Sequence, residues 1–156
     1  MPGAAALSAL EDLSPREAGA IVGLRAWCEG PEGQAWVWQC YAHHHGPIRG
    51  RTALRNFEAL VRMVSQYARR PMARHAVQCR CAGADECWFA RLVGLATDNA
   101  REDALMLAMT FLRPDIALQA VDLAQQAGLR LPPMKLPGSA PQGPAPSAKP
   151  ARQRLH

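Results

Sequence analysis

The stretch GRTALRNFEALVRMVSQYARR, Gly50 to Arg70, sorts onto two faces when wound at 100° per residue. Leu54, Phe57, Leu60, Val61, Val64, Tyr67 and Ala68 share one arc, while Arg51, Arg55, Arg62 and Arg69 lie within about 40° of one another on the opposite side. This pattern predicts an amphipathic helix that ends before Pro71 and buries its apolar arc against neighbours. The neighbours also read as helices. Ser14-Pro15-Arg16-Glu17 combines an N-cap serine, a proline at the first helical position and a glutamate at the third, which opens a helix running to about Trp27. Pro31 opens a second helix, carrying Trp36 and Trp38 on nearly opposite sides, that stops at Gly46. Beyond the amphipathic third helix, Asp85 is the expected cap of a fourth reaching Thr97 and Asn99 that of a fifth stopping before Pro114. Pro114 starts a sixth, ended by Gly128. No alternating β-branched run competes, so the expected fold class is all-α, a single compact bundle of about six helices with a Cys/His-rich loop between helices 3 and 4. The run ALMLAMTFL, Ala104 to Leu112, is apolar around nearly its whole circumference, which places the fifth helix at the centre of the bundle.

The helical domain is expected over residues 14–131, after a flexible N-terminus of residues 1–13. From Pro132 the chain reads PPMKLPGSAPQGPAPSAKPARQRLH, with no acid and little apolar surface to offset ordering entropy. A disordered, basic, proline-rich tail over 132–156 is therefore expected. The longest charge-free apolar run is far short of the roughly 20 residues that cross a bilayer, so no membrane span is expected. The N-terminal residues lack the basic flank of a secretory signal, and the odd count of five cysteines argues against a disulfide framework. Both point to a cytoplasmic protein with free or metal-bound thiols.

Positive charge is concentrated. Residues 49–80 hold eight arginines against Glu58 alone, and such asymmetry points to an acidic partner, nucleic acid or an acidic protein surface. The candidate contact residues are Arg51, Arg55, Arg62 and Arg69 on the helix, with Arg74 and Arg80 beyond it.

The other chemically distinctive stretch is RHAVQCRCAGADECWF, Arg74 to Phe89. His75, Cys79, Cys81 and Cys87 supply four ligands, the number a tetrahedral structural zinc takes. Cys79 and Cys81 would face the same side of an extended segment, and Cys87 would sit near a helix start where the dipole favours a thiolate. Arg74 and Arg80 would add to that effect. One structural zinc is the expected cofactor, with His44, one turn from Cys40 on the second helix, as a reserve ligand. No phosphate loop, HExxH or nucleophile elbow is present, so a binding role is expected over catalysis. The expected function is a small zinc-binding regulatory or adaptor protein with a basic helix face. The alternative is a thiol-based redox or metal-responsive sensor.

Overall fold

The structure, a computed structural model, describes residues 6–136; the remainder of the expected tail, from 137 onward, lies outside the described residues, as do residues 1–5. Six helices follow in the anticipated order: α1 (Pro15–Glu29), α2 (Pro31–His45), α3 (Pro47–Tyr67), α4 (Ala84–Thr97), α5 (Arg101–Phe111) and α6 (Pro114–Leu129). Proline opens α1, α2, α3 and α6, where its missing N–H has no helical acceptor to lose. At α1 the capping box forms as read, with the Glu17 N–H donating to Ser14 Oγ (3.2 Å) and the Ser14 N–H to Glu17 Oε2 (3.4 Å). Gly30 (φ 121°) and Gly46 (φ 80°) make the turns between α1, α2 and α3 in a region that L side chains avoid.

Two start signals act differently from expectation. Asp85 does not cap α4; Gly83 holds that position, and Asp85 lies inside the first turn with its carboxylate turned to other partners. Asn99 does not cap α5 either. It takes a left-handed conformation (φ 62°) one residue before the true N-cap, Ala100. The third helix is displaced as a whole, beginning at Pro47 and ending at Tyr67, so Arg69 lies in a bend beyond it, where its N–H donates to the Phe111 carbonyl (3.0 Å).

The bundle is not purely helical. β1 (Ala6–Ala9) pairs antiparallel with β2 (Cys81–Gly83), Ala9 opposite Cys81 and Ser8 opposite Ala82, and the Leu10 N–H continues the ladder to the Arg80 carbonyl (2.8 Å). Residues 6–13 are therefore an ordered segment with Leu10 buried, in place of the expected flexible N-terminus. A four-residue strand of ALSA carries too little alternation to be read locally, because its partner lies in the distant cysteine loop. At the other end Pro132 and Met134 are buried, so the packed region extends beyond Leu131.

The bundle's most enclosed helix is α4, which packs against α1, α5 and α6 and buries Trp88, Phe89, Ala90, Leu92, Val93 and Ala96. The fifth helix does not hold that place. Only Ala104, Ala108 and Phe111 of α5 are buried, and Met106 is 61% exposed. An apolar circumference permits burial on every side, but α5 is short and finds its main neighbours in α4 and α6. In contrast, α6 packs as expected, its buried face of Ala117, Ala120, Val121, Ala124, Ala127 and Gly128 being small enough for close approach to α3 and α4.

Approach to neighbouring backbone is tightest where α2 leaves α1. A Cβ built on Gly33 would come within 1.9 Å of the Ala26 carbonyl oxygen and 2.8 Å of its carbon, and backbone cannot swing aside. Gly33→Ala should therefore lose roughly 1–3 kcal/mol to overpacking, more than the better helix propensity of alanine returns. A urea midpoint equal to or above wild type would contradict that crossing.

Candidate functional site

The loop between α3 and α4 is held by two adjacent carboxylates on the first turn of α4. Asp85 takes a bidentate pair from Arg70 (Nη1 to Oδ2 2.7 Å, Nη2 to Oδ1 2.6 Å) and the Ala73 N–H (2.7 Å). Arg70 hydrogen bonding outweighs desolvation and lowers the Asp85 pKa. Glu86 goes deeper: its side chain and that of Arg25 from α1 are both fully buried. Arg25 donates Nε to Glu86 Oε1 (2.6 Å) and Nη2 to Oε2 (2.8 Å), while Glu86 also accepts from the His75 N–H (2.9 Å) and the Gly83 N–H (3.0 Å). The His75 Nδ1 lies 3.1 Å from Glu86 Oε2. Burial pushes the Glu86 pKa up, but the Arg25 guanidinium and the Gly83 and His75 N–H groups overcome it and hold the group at about 2. Arg25 has donors left over: Nη1 reaches the Cys79 carbonyl (2.6 Å) and Nη2 the Cys81 carbonyl. One buried ion pair thus ties α1, α4, His75, both loop cysteines and the β2 strand together.

This clamp decides where the expected zinc ligands go. Hydrogen bonding to Cys79 raises the Cys81 pKa, and Cys81 is exposed. His75 is engaged by Glu86, and the Cys87 thiol is hydrogen-bonded to Ser8 of β1. Among the described residues no group of three or more His, Cys, Asp or Glu side chains is placed to hold a metal ion, so His75, Cys79, Cys81 and Cys87 do not converge as the spacing suggested. Nor does His44 join them. It is exposed, stacks edge-on with His45 (4.6 Å), and lines a separate cavity with Trp36, Cys40 and His43.

The thiols also differ electrostatically from expectation. Cys87, the fourth residue of α4, was expected to favour the thiolate; burial instead raises its pKa, against the smaller lowering from Ser8, and the charges of Glu86 and Glu17 raise it further. Hydrogen bonding to Cys79 raises Cys81, and the arginine whose charge opposes that shift is Arg25, where Arg74 and Arg80 had been expected. Arg74 acts on Cys28, whose pKa burial raises nonetheless.

All six candidate arginines are exposed. On α3, Arg51 lies over the Trp38 ring (6.0 Å to the centroid) and Arg62 pairs with Glu58 (2.7 Å). Among the described residues, Arg55, Arg69, Arg74 and Arg80 make no ion pair. Arg51 to Arg62 spans roughly 16 Å of helix, opposite a face where Phe57, Leu60, Val61 and Val64 are buried. No protein family matches the chain, and neither does any curated protein or solved structure. The site is therefore read from its own chemistry.

That chemistry includes residues that motif reading passed over. Arg25 is a lone charge within the apolar run AIVGLRAW, and Asp85-Glu86 are acids opening a helix in which Arg91 is the one other charge. A cation placed on a core face and an acid pair heading another core helix are the signals for a buried pair, since an unpaired charge there would be prohibitively costly.

Proposed function

We propose that this protein is a small regulatory or adaptor module whose working surface is the arginine face of α3, extended by Arg69, Arg74 and Arg80, and whose partner is polyanionic: nucleic acid or an acidic protein surface. The observation that carries this reading is the exposure of all six arginines while the only acid of residues 49–80, Glu58, neutralises Arg62 alone. Arginines lacking intramolecular partners retain their full capacity for bidentate contacts to phosphate or carboxylate. A structural zinc on His75, Cys79, Cys81 and Cys87 has less support, because Arg25 and Glu86 already fasten the loop that it was expected to staple. The sensor alternative is weaker too: a redox-active cysteine uses a thiolate below its ordinary pKa, whereas Cys28, Cys40, Cys81 and Cys87 are all raised.

Fluorescence anisotropy with a labelled DNA duplex tests the reading. The double charge reversal Arg55→Glu and Arg62→Glu should weaken binding at least about tenfold while leaving the melting temperature within a few degrees, since both side chains are exposed. Binding unaffected by the reversal would remove this face from the account. An acidic protein partner would instead be recognised through loss of affinity on Trp38→Ala, because protein interfaces depend on aromatic anchors and Trp38 lies beneath Arg51.

A further inference from the structure

We infer that the cleft between the N-terminal segment and the C-terminal extension binds a small apolar monocarboxylate, a straight-chain acid of about ten carbons. The cleft exists because both ends of the described chain pack beside α1. On one side the Leu10 N–H donates to the Arg80 carbonyl (2.8 Å), which fixes the segment leading into α1 against the loop. On the other, Met134 lies over Gly23 and brings Pro133, Lys135 and Leu136 to the opposite wall. Between them is a cavity of about 410 Å³, within the range of roughly 300–1,000 Å³ that small-molecule sites occupy.

The lining sets the two ends of the ligand. Leu10, Val22 and Met134 are buried and Leu13 and Leu136 half-buried, so the walls are aliphatic. Water finds few partners against such walls, and its displacement by a hydrocarbon chain is favourable. Arg80 and Lys135 line the same cavity and are exposed, while Glu11 is the single acid among its lining residues. The excess is one positive charge, which one carboxylate balances. Neither Arg80 nor Lys135 makes an ion pair among the described residues, so both keep donors for that carboxylate. Length follows from volume: at roughly 30 Å³ for each heavy atom, the share of one water in the liquid, the cavity has room for a ten-carbon acid. The lining includes no residue of α3 and shares Arg80 alone with the proposed polyanion surface, so the inference does not depend on that reading.

Isothermal titration calorimetry of the full-length chain with decanoate, kept below its micelle-forming concentration, provides the test. One decanoate per chain is expected, bound at least roughly tenfold tighter than decylammonium, which carries the wrong charge, or hexanoate, which lacks four methylenes. The double variant Arg80→Gln/Lys135→Gln should lose the preference for decanoate over decylammonium. Ala18→Trp, which fills the cavity from α1, should weaken decanoate at least about tenfold. Thermal melting followed by circular dichroism establishes that each variant is folded. Location is read independently in wild type from the ¹³C-methyl resonance of Met134, which should shift with decanoate and saturate with the calorimetric affinity. Equal affinity for decanoate and decylammonium, undiminished binding in folded Ala18→Trp, or an unmoved Met134 methyl would each overturn the inference. So would binding that appears only in a chain truncated after Leu136, since the cavity would then be taken by residues further along the chain.

Discussion

Glu86→Gln is expected to destabilise the protein by about 3–5 kcal/mol, because it leaves the Arg25 guanidinium buried without its counter-charge. For a domain whose whole stability is typically about 5–15 kcal/mol, that change should lower the melting temperature by many degrees. A buried ion pair can often be exchanged for two apolar residues without loss, but this one should resist the exchange. The N–H groups of His75 and Gly83 and the carbonyls of Cys79 and Cys81 all bond to the pair, so the double variant Arg25→Met/Glu86→Leu leaves those backbone groups unpaired. It should be no more stable than Glu86→Gln. Recovery of wild-type stability in the double variant would show that the loop is held by something other than the clamp.

The same carboxylate sets the acid limb. Its folded pKa of about 2 lies below the ordinary value of 4.5, so its contribution to stability is complete above about pH 4.5 and is lost as pH falls toward 2. Asp85, also lowered, acts in the same direction. The melting temperature of wild type should fall through that window, and Glu86→Gln should flatten the fall. An identical pH profile in the variant would contradict the assignment.

Truncation after Leu131 is the second large effect. Met134 is 3% exposed and occupies the space over Gly23, where a Cβ would meet its Cε at 2.6 Å. Removing a buried methionine side chain alone costs about 2–5 kcal/mol, so Met134→Ala should lose an amount in that range. Truncation should lose at least as much, since Pro132 is buried and Leu136 packs against the core as well. Truncation after Leu136 provides the control, because it keeps these contacts. Equal urea midpoints for the chains ending at Leu131 and Leu136 would show that Met134 contributes no packing energy.

The contrast between Met134 and α3 shows what could be read from the chain. Helical positions repeat, so seven residues reinforce one periodic signal and the buried arc of α3 was legible, as were the proline and capping-box starts. Met134 stands alone in a proline-rich composition, and nothing local distinguishes it from a solvated residue. The same limit applies to β1, whose partner lies more than seventy residues away. At the candidate site, spacing put Cys79 and Cys81 two residues apart, near enough in the chain for one to influence the other. It could not anticipate that Glu86 would engage His75 or that Ser8 would take Cys87, since both depend on where α1 and β1 settle against the loop. Arg25 was visible as a lone cation in an apolar helix, but its partner is sixty-one residues away.

The most direct test of the polyanion-binding face is the salt dependence of duplex DNA affinity for the wild-type chain. If four to six arginines neutralise phosphates, the logarithm of the association constant should fall linearly with the logarithm of salt concentration, with a slope of about −4 to −5, and Arg55→Glu/Arg62→Glu should make it shallower by about 2. A slope near zero, or no binding to duplex even at low salt, would contradict the account for nucleic acid.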